Sequence, residues 1–367
     1  MKIIHWIGID DHADKWTIAH FKGSDEKPAN EFELVPDGTG YRKLIKFAKE
    51  LVGEVRIVYE AGPCGYELYR RLKKAGLQCD VAAPSLTPRK PGDRVKTNRR
   101  DAVKLARYLR AQDMLTLIVV PDERRESLRD LVRARHAVQK DLVSIRNQIV
   151  KFLLRYGHRY REGKTAWTGR FWAWVGKIKL EGEYGQFVLD EMIRTHTQRF
   201  ERRARYDQEI QAAAKKPEYA PYVTGLSVLR GIDWLSAMTI LSELGDLRRF
   251  PTAPQVMGAV GLVPSEESTG DTTTRLPITK AGNAHVRHIA VEAAWQYQRR
   301  LTNGPTIKRR RKDQPKALLE IAEKCDLRLN RKFFRMTSRG KRSTIAAVAV
   351  ARELMGFIWA IGQIVHP

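Results

Sequence analysis

Ile3-Ile4-His5-Trp6-Ile7-Gly8-Ile9 followed by Asp10, and Val55-Arg56-Ile57-Val58-Tyr59 followed by Glu60, are two largely apolar runs that each close on a carboxylate. Short runs of this composition predict strands, so two acids stand at the carboxyl ends of two strands. Further strands are expected near residues 16–21, 31–34 and 79–83, with helices over 41–51, 66–75 and 99–110. Ala102, Leu105, Ala106 and Leu109 form the apolar stripe of the last helix. Three early strands, then alternating helix and strand, is the order of a ribonuclease-H-like (RuvC-like) mixed sheet. A Rossmann sheet shares the alternation, but no glycine-rich phosphate loop supports it.

Beyond residue 120 the period changes. Leu128, Leu131, Val138, Leu142, Ile145, Ile149 and Phe152 recur at steps of threes, fours and sevens, giving a long helix over 123–155. A second helix over 186–214 carries Met192, Ile193, Phe200 and Ile210 and stops before Pro217. Together they predict a helical hairpin of coiled-coil type, either folded within one chain or forming a seam between two copies. Between them, Trp167-Thr168-Gly169-Arg170-Phe171-Trp172-Ala173-Trp174 suits either stacking on nucleobases or packing inside the hairpin. Further on, Leu229-Arg230-Gly231-Ile232-Asp233 leads to Leu244-Gly245-Asp246, resembling a helix-hairpin-helix element whose glycine turn holds a DNA phosphate. Asp233 stands where a second glycine would leave the amides free. The expected fold class is therefore α/β plus all-α: a mixed-sheet domain at 1–118, a helical domain at 119–217 and a mainly helical domain at 218–367.

Lys plus Arg number 67 against 42 Asp plus Glu, a net charge of +25 that calls for a polyanionic partner, nucleic acid foremost. The cations cluster at Arg94, Lys96, Arg99 and Arg100, at Lys280 and Arg287, and at Lys308, Arg309, Arg310 and Arg311, with more from Arg328 to Arg342. Such runs neutralise a phosphate backbone or form a solvated face. Three scattered cysteines, Cys64, Cys79 and Cys325, support neither a disulfide framework nor a cysteine zinc site. Arg352 and Glu353 interrupt the apolar stretch 345–365, favouring a buried or partner-facing helix over a membrane span. With no secretory signal pattern, the expected setting is the cytoplasm, without a membrane partner.

Asp10 and Glu60 offer hard oxygen donors suited to Mg²⁺, and Asp101 adds a third acid at the start of a helix. Each has a plainer reading: Asp10 as a turn residue, Glu60 as the lead into Gly62-Pro63, and Asn98 with Asp101 as an N-cap with an acid three positions on. Their joint placement at one edge of one sheet favours a metal site. The hydroxyl-rich loop Pro264-Ser265-Glu266-Glu267-Ser268-Thr269-Gly270 supplies oxygens that attack phosphorus when activated, though such loops are usually turns.

Taken in order, Gly8-Ile9-Asp10, Tyr59-Glu60-Ala61, Lys96-Thr97-Asn98-Arg99-Arg100-Asp101-Ala102, Leu229-Arg230-Gly231-Ile232, Leu244-Gly245-Asp246, Gly261-Leu262-Val263-Pro264, Ser268-Thr269-Gly270 and Thr279-Lys280-Ala281-Gly282-Asn283 resemble the DEDD-type transposases of insertion sequences. That family includes the bridge-RNA-guided recombinases. The resemblance implies a RuvC-like domain, a coiled-coil insertion and a carboxyl-terminal transposase domain. It also implies acids that bind Mg²⁺ at the scissile phosphate, and a serine that forms a covalent link to DNA. Implied partners are donor and target DNA, a structured guide RNA and further copies of the chain, as a dimer or tetramer. Two positions depart from the pattern. The third acid falls on Asn98, so the role passes to Asn98 itself or to a neighbour such as Asp101 or Asp11. The residue before the glycine is Thr269, with the less hindered Ser268 beside it. The alternatives to this recombinase are a Holliday-junction-type endonuclease using water, or a non-enzymatic nucleic-acid-binding protein.

Overall fold

The computed structural model describes residues 3–84, 86–88, 97–111, 114–182, 184–269 and 272–366, apart from the side chains of 268, 269, 272, 273 and 275. The chain divides into two compact units, Met1–Pro121 and Asp122–Pro367.

The first unit runs β1 (Ile4–Asp11), β2 (Trp16–Lys22), β3 (Asn30–Leu34), α1 (Gly38–Glu50), β4 (Glu54–Glu60), α2 (Glu67–Lys74), β5 (Gln78–Ala82) and α3 (Asn98–Arg110). Its five strands lie in the order β3-β2-β1-β4-β5. Strand β2 runs antiparallel to both β1 and β3, whereas β4 runs parallel to β1 and β5 parallel to β4. Alternation along the strands splits the core in two. Ile7, Ile9, Ile57 and Tyr59 pack with Leu44 of α1 and Leu68 and Leu72 of α2, while Trp6 and Val58 pack with Ala102, Leu105, Ala106 and Leu109 of α3. A sheet covered on both faces explains why β1 reads as an unbroken apolar run rather than an alternating one. Beyond α3 the chain returns along β5, where the Ala83 N–H donates to Thr116 O (2.9 Å) and the Ile118 N–H to Val81 O (2.7 Å), covering that edge.

The second unit opens with α4 (Glu123–Arg155), α5 (Gly169–Val175) and α6 (Gly185–Ala214). Arg135 Nε meets Asp207 Oδ1 at 2.7 Å and Arg146 Nε meets His196 Nε2 at 3.2 Å, so α4 and α6 run antiparallel as a hairpin within one chain. Leu142, Ile145, Ile149 and Phe152 of α4 share a core with Phe171, Val175 and Leu189. The tryptophan-rich segment lies in this packing. Trp172 and Trp174 lie against that core, and Trp167 stacks on His196 with ring centroids 5.4 Å apart.

There follow α7 (Ala220–Leu226), α8 (Trp234–Leu244), α9 (Ala253–Ala259), β6 (Pro264–Thr269), β7 (Thr272–Ile278), α10 (Ala284–Ala294), α11 (Pro305–Arg311), α12 (Lys316–Ser338) and α13 (Ser343–Gly362). Helix α13 is long and apolar enough to cross a membrane, and Ala347, Val350, Leu354, Ile358 and Ile361 are buried in the core of this unit. The stretch expected as a hydroxyl-rich loop is instead a β-hairpin, with Glu267 opposite Thr274 and Ser268 opposite Thr273. Cross-strand pairing of backbone groups there needs no apolar alternation.

Candidate active site and nucleic-acid interface

Ile9 on β1 is registered against Tyr59 on β4, so Asp10 and Glu60 are the next residues on two adjacent parallel strands. Because Trp6 and Val58 face α3, the even-numbered residues Gly8, Asp10 and Glu60 face the same side. Helix α3 crosses that face against Gly8, where a Cβ would collide with the Ala102 carbonyl. Its direction is fixed at the far end. Arg107 Nη2 donates to Glu26 O (2.9 Å) and Arg110 Nη1 to Asp25 O (2.7 Å), in the turn after Lys22, whose partner is His5 near the start of β1. The first turn of α3, with Asn98 and Asp101, therefore points toward the Asp10 end of the strand. Asp10, Glu60 and Asp101 are half-buried and Asn98 is exposed.

The helix cap differs from expectation. Thr97, not Asn98, is the N-cap, its Oγ1 accepting from the Arg100 N–H at 3.3 Å, which makes Asn98 the first helical residue. Capping by Thr97 releases the Asn98 side chain from that duty. Asp11 is engaged elsewhere: its Oδ1 accepts from the Trp16 indole N–H at 2.8 Å. Burial pushes the Asp11 carboxyl above the usual range, against the pull of that hydrogen bond.

Carboxylate and amide oxygens are the donor chemistry a hard divalent cation takes, and the residues present fit it in type and in their common face. Among the described residues no three His, Cys, Asp or Glu side chains close around a single point.

Of the basic residues, Arg94 and Lys96 lie outside the described residues. Arg99 pairs with Glu31 at 2.6 Å and, like Arg100, is exposed. Lys280 is exposed at a left-handed φ of 54°, and Arg287 Nη1 donates to Val260 O (2.9 Å) at the end of α9. In α11, Lys308 and Arg309 are exposed, whereas Arg310 and Arg311 turn inward. Arg310 donates to Ile232 O (2.9 Å), and Arg311 to Val228 O (3.0 Å) and Asp326 Oδ2 (2.8 Å). Arg230 reaches the same Asp326 oxygen at 2.9 Å. Asp326, buried between two guanidiniums, carries no sequence signal of this role.

The turn between α7 and α8 carries Gly231 at φ 79°, where a Cβ would fall 2.6 Å from Ala293 Cα. Asp233 caps α8 by accepting from the Ser236 N–H at 2.8 Å, taking up one amide of that helix start. A cleft of about 900 Å³ elsewhere in this unit is lined by Lys324, Arg328, Arg331 and Arg335, and one of about 560 Å³ beside Gly231 by Arg230, Arg299, Arg300 and Arg310. Both are cationic. Ser268 and Thr269 fall near the end of β6, at the tip of the hairpin.

Two family models match the chain. A DEDD-type IS110 transposase model covers residues 7–158, and the model described as Transposase IS116/IS110/IS902 family covers 224–311. Similar proteins include "Putative transposase y4qE" of Sinorhizobium fredii, 43% identical over 90% of this chain and 81% of the relative. The transposase for insertion sequence element IS1533 of Leptospira borgpetersenii is 30% identical over 93% of this chain and 99% of its own length. The transposase for insertion sequence element IS1111A of Coxiella burnetii is 24% identical over 67% of each. The first matched region contains the paired strand ends and α3, and the second contains the glycine turn, the β6–β7 hairpin and α10. On this correspondence of sequence along almost its whole length, the chain belongs to the IS110 family of insertion-sequence transposases.

Proposed function

We propose that the protein exchanges DNA strands through a ribonuclease-H-like first unit, in which Asp10 and Glu60, joined by Asp101 and Asn98 from α3, hold Mg²⁺ at the scissile phosphate. The observation that carries this reading is the placement of Asp10 and Glu60 at the ends of adjacent parallel strands, on the face that α3 covers. When bound, the cation supplies charge stabilisation to the phosphoryl oxygens. The Ser268 or Thr269 hydroxyl forms the new P–O bond, its proton leaves, and the bond to the departing deoxyribose oxygen breaks. That oxygen takes up a proton, and the strand is held as a phosphoester for transfer to the target.

Donor and target DNA are the substrates. Exposed cations such as Arg99, Arg100, Lys308 and Arg309 contact phosphates, which position the duplex without reading sequence. Sequence choice falls to base pairing by a structured guide RNA. Two or four copies assemble on the DNA.

The test is a covalent-adduct assay on a junction substrate with wild type, Asp10→Asn, Ser268→Ala, Thr269→Ala and the double hydroxyl variant, with sequencing of the RNA that copurifies. An adduct that survives loss of both hydroxyls removes the nucleophile assignment. Nicked product without attached protein points to attack by water, as in a junction-resolving endonuclease. Binding without any cleavage leaves a packaging role, and a random RNA mixture argues against guidance.

A further inference from the structure

Glu243 accepts three hydrogen bonds in the second unit, and two motifs singled out in the sequence meet at it. Its side chain is 1% exposed. Arg133 of α4 donates to both of its oxygens, Nε to Oε1 at 2.7 Å and Nη2 to Oε2 at 2.8 Å, and Asn283 Nδ2 donates to Oε2 at 2.6 Å. Burial alone would raise this carboxyl, but the hydrogen bonds from Arg133 and Asn283 leave it below the usual range, so it is charged at neutral pH.

Asn283 faces two ways. Its Oδ1 caps α10 by accepting from the Val286 N–H at 3.0 Å, and its own N–H donates to Ala259 O (2.9 Å) at the end of α9. The neighbouring backbone forms the root of the β6–β7 hairpin, where the Thr279 N–H donates to Val263 O (2.9 Å) and the Lys280 N–H to Gly261 O (3.2 Å). Two glycines here have no room for a side chain. A Cβ on Gly261 would strike Ala281, one on Gly282 would strike Ala259, and both glycines have positive φ, 66° and 100°. Lys280 holds a φ of 54° without being glycine, a conformation that persists only where its surroundings impose it.

We propose that Glu243 is a positioning residue for the β6–β7 hairpin: through Asn283 it fixes the turn from which the strand bearing Ser268 and Thr269 rises. The proposal rests on the reading that one of those hydroxyls attacks phosphorus. The amide–carboxylate contact lies far along the chain from the hydroxyls, and a shift of about 1 Å at a root is enough to cost roughly a hundredfold in rate at the reacting atom.

The test uses the full chain and DNA. Asn283→Asp keeps a good helix cap but sets a carboxylate against Glu243, and adding Glu243→Gln lets the new amide donate to position 283 at the loss of the Arg133 Nη2 hydrogen bond to Oε2. Asn283→Asp is expected to slow adduct formation at saturating DNA by about a hundredfold, leave the DNA dissociation constant unchanged, and speed amide hydrogen exchange across 263–279 but not in α12 or α13. The double variant is expected to recover part of the rate and the protection. Wild-type rate with unchanged exchange in Asn283→Asp overturns the proposal. So does a loss of DNA affinity or of exchange protection throughout the unit, which marks Glu243 as merely structural. If the Ser268→Ala/Thr269→Ala variant still forms the adduct, the nucleophile reading fails, and the exchange data alone then decide whether Glu243 fixes the hairpin.

Discussion

Gly8 of β1 and Ala102 of α3 meet backbone to backbone: a methyl group at position 8 would run into the Ala102 carbonyl oxygen and lie 2.6 Å from the Ala106 amide nitrogen. Only glycine lets α3 lie this close to the sheet, and α3 begins with Asn98 and carries Asp101 in its first turn. Overpacking of this kind costs about 1–3 kcal/mol. Gly8→Ala is therefore expected to lower the denaturation midpoint and to reduce strand cleavage more than the lost stability accounts for. Wild-type cleavage in a folded Gly8→Ala variant would show that the height of α3 over the sheet is irrelevant to activity.

Asp10→Asn and Glu60→Gln each remove one charge from the strand ends. Metal-assisted charge stabilisation is worth several kcal/mol, so cleavage is expected to fall by about a hundredfold or more in each, with unchanged melting temperature in chelator. Wild type should gain thermal stability on Mg²⁺ titration and lose cleavage in EDTA, and both variants should lose the Mg²⁺-induced shift. A shift that persists in both variants would place the cation elsewhere.

Within the run of cations in α11, neighbours are expected to behave differently. Removing exposed Lys308 and Arg309 together should leave stability alone and lower the slope of log affinity against log salt by about 2, near 0.9 per phosphate contact. Asp326→Ala strands Arg230 and Arg311, each with a side chain 12% exposed, and should destabilise the fold by about 3–5 kcal/mol. Chemical denaturation and a salt series separate the two outcomes.

Acid sensitivity should begin with histidines. Burial holds His20 and His196 down to a pKa of about 4, below the ordinary 6.5. Above pH 6.5 neither the folded nor the unfolded state carries the proton, and the stability is fully present. Below it the unfolded chain binds protons that the folded one refuses, so stability drains away between pH 6.5 and about 4. Glu243 and Glu353, both held below 4.5, add their loss only lower down. Urea midpoints at pH 7.5, 5.5 and 4.5 test this, and a flat series contradicts the assignment. His196→Phe should flatten the curve.

The first unit was legible in the sequence because its strands are covered on both faces and its helices carry clean apolar stripes, so Ile7, Ile9, Ile57 and Tyr59 identify themselves by composition. The two long helices followed from their spacing for the same reason, whereas their pairing within one chain is set by contacts such as Arg135 with Asp207. The hairpin over 264–278 was hidden because Glu266, Glu267, Ser268 and the threonines of β7 show no apolar alternation; strand pairing alone organises them. Thr97 and Asn98 are both good caps by type, and only the backbone conformation selects Thr97. Arg310 and Arg311 read as a solvated charge run since nothing local reveals that Asp326 and the Val228 and Ile232 carbonyls await them. Glu243 sits beside a legible motif, Leu244-Gly245-Asp246, but its partners lie on two other helices.

The central strand β1 is the first to be made, yet its carboxyl end gains a parallel neighbour only when residues near 60 arrive and a roof only when α3 does, about a hundred residues on. Closing such distant loops is slow, and no shorter fragment holds both strand ends together with α3. The strand ends that carry Asp10 and Glu60, with the helix over them, are thus complete only when most of the first unit has been synthesised.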